Sequence, residues 1–194
     1  NSGNGLAVRN GVIYSSTGHS TFGVATGSYT LFGGRGFEYG IDQTDVSVMP
    51  GQHIKRTLKL KREVDTASWV ACDTHVHTLT HSGHGDCSIE ERMVTLAGEG
   101  IELPIATDHN KHIDYTEAAA SGGVTSRFTS VIGNEVTTKQ GHFNVFPIKN
   151  GSAFPDQTQN DWKLLFENIF ATPGARIAIL NHAEDIHSGF RPLS

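Results

Sequence analysis

The chain has 194 residues, of which 37% are hydrophobic, and a formal net charge of −5, enough for one substantial domain or a domain with a small module. The mild acidity argues against a nucleic-acid partner held by phosphate neutralisation, and no apolar run approaches the ~20 residues that span a bilayer, so no membrane partner is expected. Cys72 and Cys87 make no disulfide framework; the chain opens on Asn1 without a basic-then-apolar leader, as a processed or excerpted chain would, and a secreted or periplasmic location would need a leader upstream.

Residues 1–66 read as β structure. Gly23, Gly27, Gly33, Gly34, Gly36 and Gly40 punctuate short β-prone runs such as 29–32. Pro50-Gly51 is a turn signal between the run 44–49 and the run 53–61. In the second run Ile54, Leu58 and Leu60 share one parity and Lys55, Thr57, Lys59 and Lys61 the other, a strand pattern interrupted only by Arg56. A small β-sandwich-like module, cut at its N-terminal side, is expected here.

From residue 67 onward short apolar strands alternate with helices. Trp69 to Cys72 reads as a buried-type strand running into a histidine-rich loop. Ser88 with Glu91 forms a capping box ahead of Ile89, Met93, Leu96 and Ala97 at helical spacing, and Gly98 and Gly100 end that helix. Leu103 to Thr107 is the next strand, in which Pro104 would be awkward at a central position. Asp114 with Glu117 gives a second capping pattern before Ala118, Ala119 and Ala120. Val131-Ile132 leads into Gly133-Asn134-Glu135, and His142 to Ile148 reads as a strand. Trp162, Leu165, Phe166, Ile169 and Phe170 mark an amphipathic helix stopped by Thr172-Pro173-Gly174, and Ile177 to Leu180 reads as a further buried strand. Such alternation builds a parallel α/β sheet or barrel.

The polar residues fall at the strand ends. Eleven histidines occur, six of them (His75, His77, His81, His84, His109 and His112) between residues 75 and 112, and imidazole is the commonest metal ligand. His75 and His77 follow the first of these strands, Asp108 and His109 the second, Glu135 the third, and Asn181 and His182 the last. In α/β barrels these ends share one rim, where chemistry is performed. An isolated His-x-His is usually a chance pair, but here a strand, Asp73 and further clusters accompany it. The alternative for Asp108 is a loop in which it caps the next helix, a lone Glu135 is usually solvated, and the alternative for His142 and His182 is core histidines satisfied by backbone. His19, His53, His81, His112 and His187 read as surface or substrate-side residues. Ser82 and Ser88 lie near histidines, yet no G-x-S-x-G elbow exists for a serine nucleophile. Gly33-Gly34-Arg35-Gly36 lacks the spacing of a phosphate-binding loop.

On Asp73-Thr74-His75-Val76-His77-Thr78, Glu90-Glu91-Arg92, Thr107-Asp108-His109-Asn110, Gly133-Asn134-Glu135, Gly141-His142 and Asn181-His182, residues 69–194 resemble the PHP (polymerase and histidinol phosphatase) superfamily. More narrowly they look like CehA/McbA-type metallohydrolases. The resemblance implies a distorted (β/α)7 barrel carrying two or three divalent ions, zinc, manganese or iron. His75 and His77 would hold one ion, with Glu135 bridging to a second held by His142 and His182. His109 would hold a third with a residue of the loop after His77, where His84 stands in for the family's Asp and Asp86 competes. The family's final Asp-x-His has no counterpart, and roughly five of the seven βα units are present, so a barrel incomplete at its C-terminal side is expected over 67–194.

The expected function is a metal-dependent hydrolase that turns a metal-bound hydroxide on an ester, amide, carbamate or related bond of a small-molecule substrate. Glu135 and the histidines hold the ions, Asp108 or His81 relays protons, and the resemblance leaves Asp108 the alternative role of orienting ligands. A phosphoesterase is the alternative. It should gather arginine or lysine, and the motif loops carry only Lys111 and Arg191 nearby. From another class, the chain would be a non-catalytic binding module with a degenerate barrel.

Overall fold

In the computed structural model residues 5–185, 188 and 189 are described; the expectations for His187 and Arg191 lie outside them. Strands β1 (Leu6–Arg9) and β2 (Val12–Ser15) form a hairpin closed by Asn10-Gly11. Both turn residues have positive φ, 49° and 80°, as the tight two-residue turn that matches strand twist demands. Strands β3 (Gly27–Gly33) and β4 (Asp42–Val48) make a second antiparallel pair, covering the β-prone runs expected there. The run 53–61, expected as a strand, forms no ladder. Its alternation is used differently: Leu58 and Leu60 lie against Gly33, and the Lys59 N–H donates to Asp42 at 2.6 Å. The region thus holds two two-stranded hairpins.

Strand β5 (Cys72–Val76) begins later than the apolar run suggested. Trp69 is 79% exposed and Val70 59%, so apolar character alone did not bury that run, and Asp73 and His75 lie inside the strand. Helix α1 (Leu79–Ser82) is a single turn capped by Thr78. Helix α2 (Ile89–Gly98) starts at Ser88, whose hydroxyl accepts from the Glu91 N–H. It ends where the N–H of Ile101 reaches Leu96 O and Gly100 takes φ +72°. The β1–β2 hairpin rests on this helix through an Arg9–Glu91 ion pair and the Tyr14 hydroxyl on Glu99.

Strand β6 (Leu103–Ala106) is central in a parallel sheet of order β5-β6-β7, with β7 at Val131–Ile132. Pro104 is accommodated because pairing with β7 begins one residue later, at Ile105. Helix α3 (Thr116–Ser121) is entered through Asp114, which accepts from the Thr116 N–H and hydroxyl rather than forming the expected box with Glu117. Strands β8 (Asn134–Thr137), β9 (His142–Phe146) and β10 (Ile177–Leu180) form a second, antiparallel sheet of order β10-β9-β8, and helix α4 (Trp162–Ala171) falls where its periodicity placed it.

The fold is mixed α/β, and among the described residues no sheet closes into a barrel. The expectation of a run of parallel strands is corrected from β8 onward, where a short turn pairs β9 antiparallel to β8 and a long connection through α4 returns β10 antiparallel to β9. β10 is also an edge strand with Ile177, Ile179 and Leu180 exposed rather than a buried one. A four-residue apolar run does not by itself distinguish the two situations.

Two cores result. One packs Val76, Ala106 and Tyr115 against α2 and α3. The other packs Val136, Phe143 and Val145 against Leu165 and Ile169 of α4. Gly133 joins them: its N–H donates to Ala106 O at 3.0 Å. A Cβ there would lie 2.8 Å from Ile105 Cγ2 and 3.1 Å from the carbonyl oxygens of Ala106 and Val145. Gly133→Ala should therefore destabilise by roughly 1–3 kcal/mol, read as a lowered urea midpoint at unchanged slope; an unchanged midpoint would show that the crossing is not tight.

Candidate metal centre

The parallel sheet delivers its side chains where β5 and β6 end. His75 lies in β5 and His77 directly after it, and Thr107 ties the two strand ends together, donating from its hydroxyl and N–H to Val76 O. The chain after β6 then runs beside β8: His109 bridges to Glu135 and the Asn110 N–H donates to Glu135 O at 3.0 Å. Glu135, His142 and His182 come from the other sheet or the residues just beyond it.

Glu135 is the centre of the arrangement and has no solvent exposure. Its Oε1 accepts from Asn181 Nδ2 at 2.9 Å and lies 3.0 Å from His142 Nδ1 and 3.2 Å from His182 Nε2. Its Oε2 faces His77 Nε2 at 2.9 Å, His109 Nδ1 at 3.0 Å and His75 Nε2 at 3.4 Å. None of the three is aligned as a hydrogen bond, so Oε2 is a buried carboxylate oxygen with no donor. His75 and His77 also turn their Nε2 atoms toward each other at 2.9 Å. Lone-pair atoms converging on one another and on an anion leave a position that a cation would fill. Two overlapping groups, His75 with His77 and Glu135, and His109 with Glu135 and His142, could hold a metal ion.

His84 reaches the outer side of the cluster, its Nε2 2.5 Å from His109 Nε2. Asp86 does not, being exposed and paired with Arg92. His182 takes φ 26° to present its ring, a backbone region that non-glycine residues enter at a cost and that recurs at functional sites. Asn181 is fixed from behind by Asn144, which in turn donates to Thr74 O.

Burial alone would push the Glu135 carboxyl up, but the partners on Oε1, His142 and Asn181, hold it below the usual carboxylate range. Burial holds His109 down, to about 4, against the pull of Glu135 and with neighbouring His77 and His84 acting the same way as burial. Both shifts keep these groups in the states that ligate a cation, carboxylate and neutral imidazole.

Asp108 sits beneath the cluster rather than on its face. It is fully buried, with Oδ1 accepting from Thr78 N, Thr78 Oγ1 and Ser82 Oγ at 2.9, 2.9 and 2.7 Å, and Oδ2 accepting from the Tyr115 hydroxyl at 3.0 Å. Burial and the neighbouring carboxylate push the Tyr115 phenol strongly up, so it stays a donor. Because Asp108 meets Ser82 and not an imidazole, the Asp–His–Ser order of a serine triad is absent. The His81 ring is not among the groups that meet Glu135; the backbone N–H of His81 completes the Thr78 cap. Of the histidines read as peripheral, His19 and His53 are exposed. His112 is half-buried instead, with Nδ1 on Ser152 O and its ring edge-on to Phe154.

Ser82, Tyr115, Asn144 and Thr137, which meets His109 Nδ1 at 2.6 Å, were not readable as site residues. Ser82 reads in the sequence only as a serine near histidines, Tyr115 meets Asp108 within the half built on α2 and α3, and the packing of the two sheets brings Thr137 to His109 and Asn144 to Thr74. No protein-family model, curated protein or solved structure matches the chain.

Proposed function

We propose that this chain is a metal-dependent hydrolase of the PHP type, with His75, His77, His109, Glu135, His142 and His182 as ligands, Glu135 shared between two ions and His84 extending the set to a third. The observation that carries the reading is Glu135 Oε2, buried and without a donor while three imidazole nitrogens face it. Zinc, manganese or iron suits such a set, and divalent ions bound there would acidify water and polarise the scissile group.

The chain's own residues divide the remaining work. Asp108, with both oxygens engaged, anchors the floor of the site and is a positioning residue rather than a proton carrier. Asn181 orients the Glu135 carboxylate through Oε1. The partly exposed rings of His75 and His182 leave the cluster open on one side for a small substrate.

The surroundings favour a carbonyl substrate, an ester, amide or carbamate, over a phosphoester. A phosphate site gathers guanidinium or ammonium groups. Among the described residues the guanidinium nearest in the hydrogen-bond network, Arg92, is committed to His77 O and Asp86. The test is turnover of aryl esters, carbamates and phosphomonoesters by protein loaded with zinc or manganese. Ester or carbamate turnover is expected, phosphatase activity alone would reverse the substrate preference, and metal uptake with no turnover would favour a binding module.

A further inference from the structure

Ser82 lies five residues past His77 in the one-turn helix α1, and its hydroxyl touches three groups at once. It lies 2.7 Å from Asp108 Oδ1, 3.1 Å from His77 Nδ1 and 3.3 Å from the His109 backbone N–H. A hydroxyl has one hydrogen to donate and two lone pairs to accept with. The direction of each bond can therefore be assigned.

Asp108 Oδ1 already receives the Thr78 N–H and hydroxyl, and Oδ2 the Tyr115 hydroxyl. With a donor already on each oxygen Asp108 has only lone pairs to offer, so the single Ser82 hydrogen goes to Asp108. The His109 N–H can only donate, and it takes one Ser82 lone pair. The remaining lone pair faces His77 Nδ1, which must then carry a hydrogen.

We infer that Ser82 is a positioning residue, which with buried Asp108 locks His77 in the Nδ1–H tautomer and leaves Nε2 as a bare lone pair aimed at Glu135 Oε2. Histidine tautomers are set by the partner of the other ring nitrogen. Here that partner is a serine polarised by a carboxylate, an indirect form of the carboxylate–histidine arrangement that supports metal ligands. The lock fits the lack of a donor at Glu135 Oε2, because His77 Nε2, 2.9 Å away, then has no hydrogen to give. The inference takes its purpose from the metal-centre reading, but the tautomer belongs to the protein without metal.

Long-range proton–nitrogen correlation NMR on the metal-free full chain, at a pH above histidine titration, reads the tautomer directly, with His77→Asn locating the signal. Nδ1–H is expected; an Nε2–H tautomer overturns the inference. In Ser82→Ala the ring should move toward Nε2–H and zinc affinity should fall by about 10–100-fold, whereas Ser82→Thr, which keeps the hydroxyl, should hold both near the wild type. An alanine variant that keeps Nδ1–H, or a threonine variant no better than alanine, overturns it as well. Should the alanine variant fail to fold, the wild-type spectrum still decides. A wild type showing Nδ1–H at His77 but no zinc uptake would sustain the lock and remove the metal-centre reading, so the two fail separately.

Discussion

Glu135→Gln is expected to abolish tight zinc binding while leaving the fold standing, with a loss of affinity larger than the roughly 10–100-fold that removing an outer partner costs. The substitution conserves volume, and the amide oxygen can still accept from Asn181, which now donates to Glu135 Oε1 at 2.9 Å. What it cannot do is present a second anionic oxygen. The Oε2 position faces His75, His77 and His109, and an amide NH2 there would point hydrogens at the nitrogens that converge on the site. Both candidate groups contain this residue, so one substitution should empty both. Zinc per chain after gel filtration, measured by plasma mass spectrometry, and circular dichroism of the metal-free protein check the two halves. Wild-type zinc content in the variant would remove Glu135 from its central role.

The second expected result is a large thermal response to metal. An ion that binds only the folded chain at 1,000 times its dissociation constant adds about 4.1 kcal/mol. For a chain of this length that corresponds to a rise in Tm of roughly 8–16 °C. Stripping with a chelator should reverse the rise, and zinc or manganese should restore it. A Tm unmoved by either treatment would mean that no ion binds the native state. The metal-free protein should itself weaken on acidification, and the sign follows from the two shifts. His109 is depressed to about 4, so between there and its ordinary value near 6.5 the unfolded chain takes up a proton that the folded one refuses. Glu135 is depressed too, so the stability it contributes is present above its ordinary carboxylate range and is lost below it. Both effects make stability fall with pH, the first below about 6.5 and the second below about 4.5.

The elements carried by strong periodicity were legible in the sequence. Helix α4 falls on the Trp162 to Phe170 pattern, and α2 on its Ser88 cap. The residues gathered at Glu135 were legible as well, because histidines at successive strand ends form a pattern that chance rarely produces. What the sequence could not convey was sheet polarity. The run 177–180 reads the same whether its strand is a buried parallel one or an exposed antiparallel edge, and only its pairing with β9 after the connection through α4 decides. The supporting shell was equally hidden. Ser82 and Tyr115 reach Asp108 from opposite sides of a packed core, a juxtaposition that no linear spacing encodes. For the same reason the sequence leaves Asp108 open between orienting ligands and handling protons, and its hydrogen bonds favour the first.

The two cores meet along a narrow seam, at the Gly133 crossing and through hydrogen bonds such as Asn144 to Thr74 O and Asn110 N–H to Glu135 O, and the candidate ligands are divided between them. His75, His77 and His109 belong to the half built on α2 and α3, and Glu135, His142 and His182 to the half built on α4. A bound ion would thus act as a clasp across the seam, much as a cross-link joins distant parts of a chain. Without it, each half could open on its own, as separable units of a protein do. With it, opening either half means breaking bonds to the other. Cooperativity itself would then report occupancy: amide exchange should show two protection levels in the stripped protein, merging toward one when the clasp is closed.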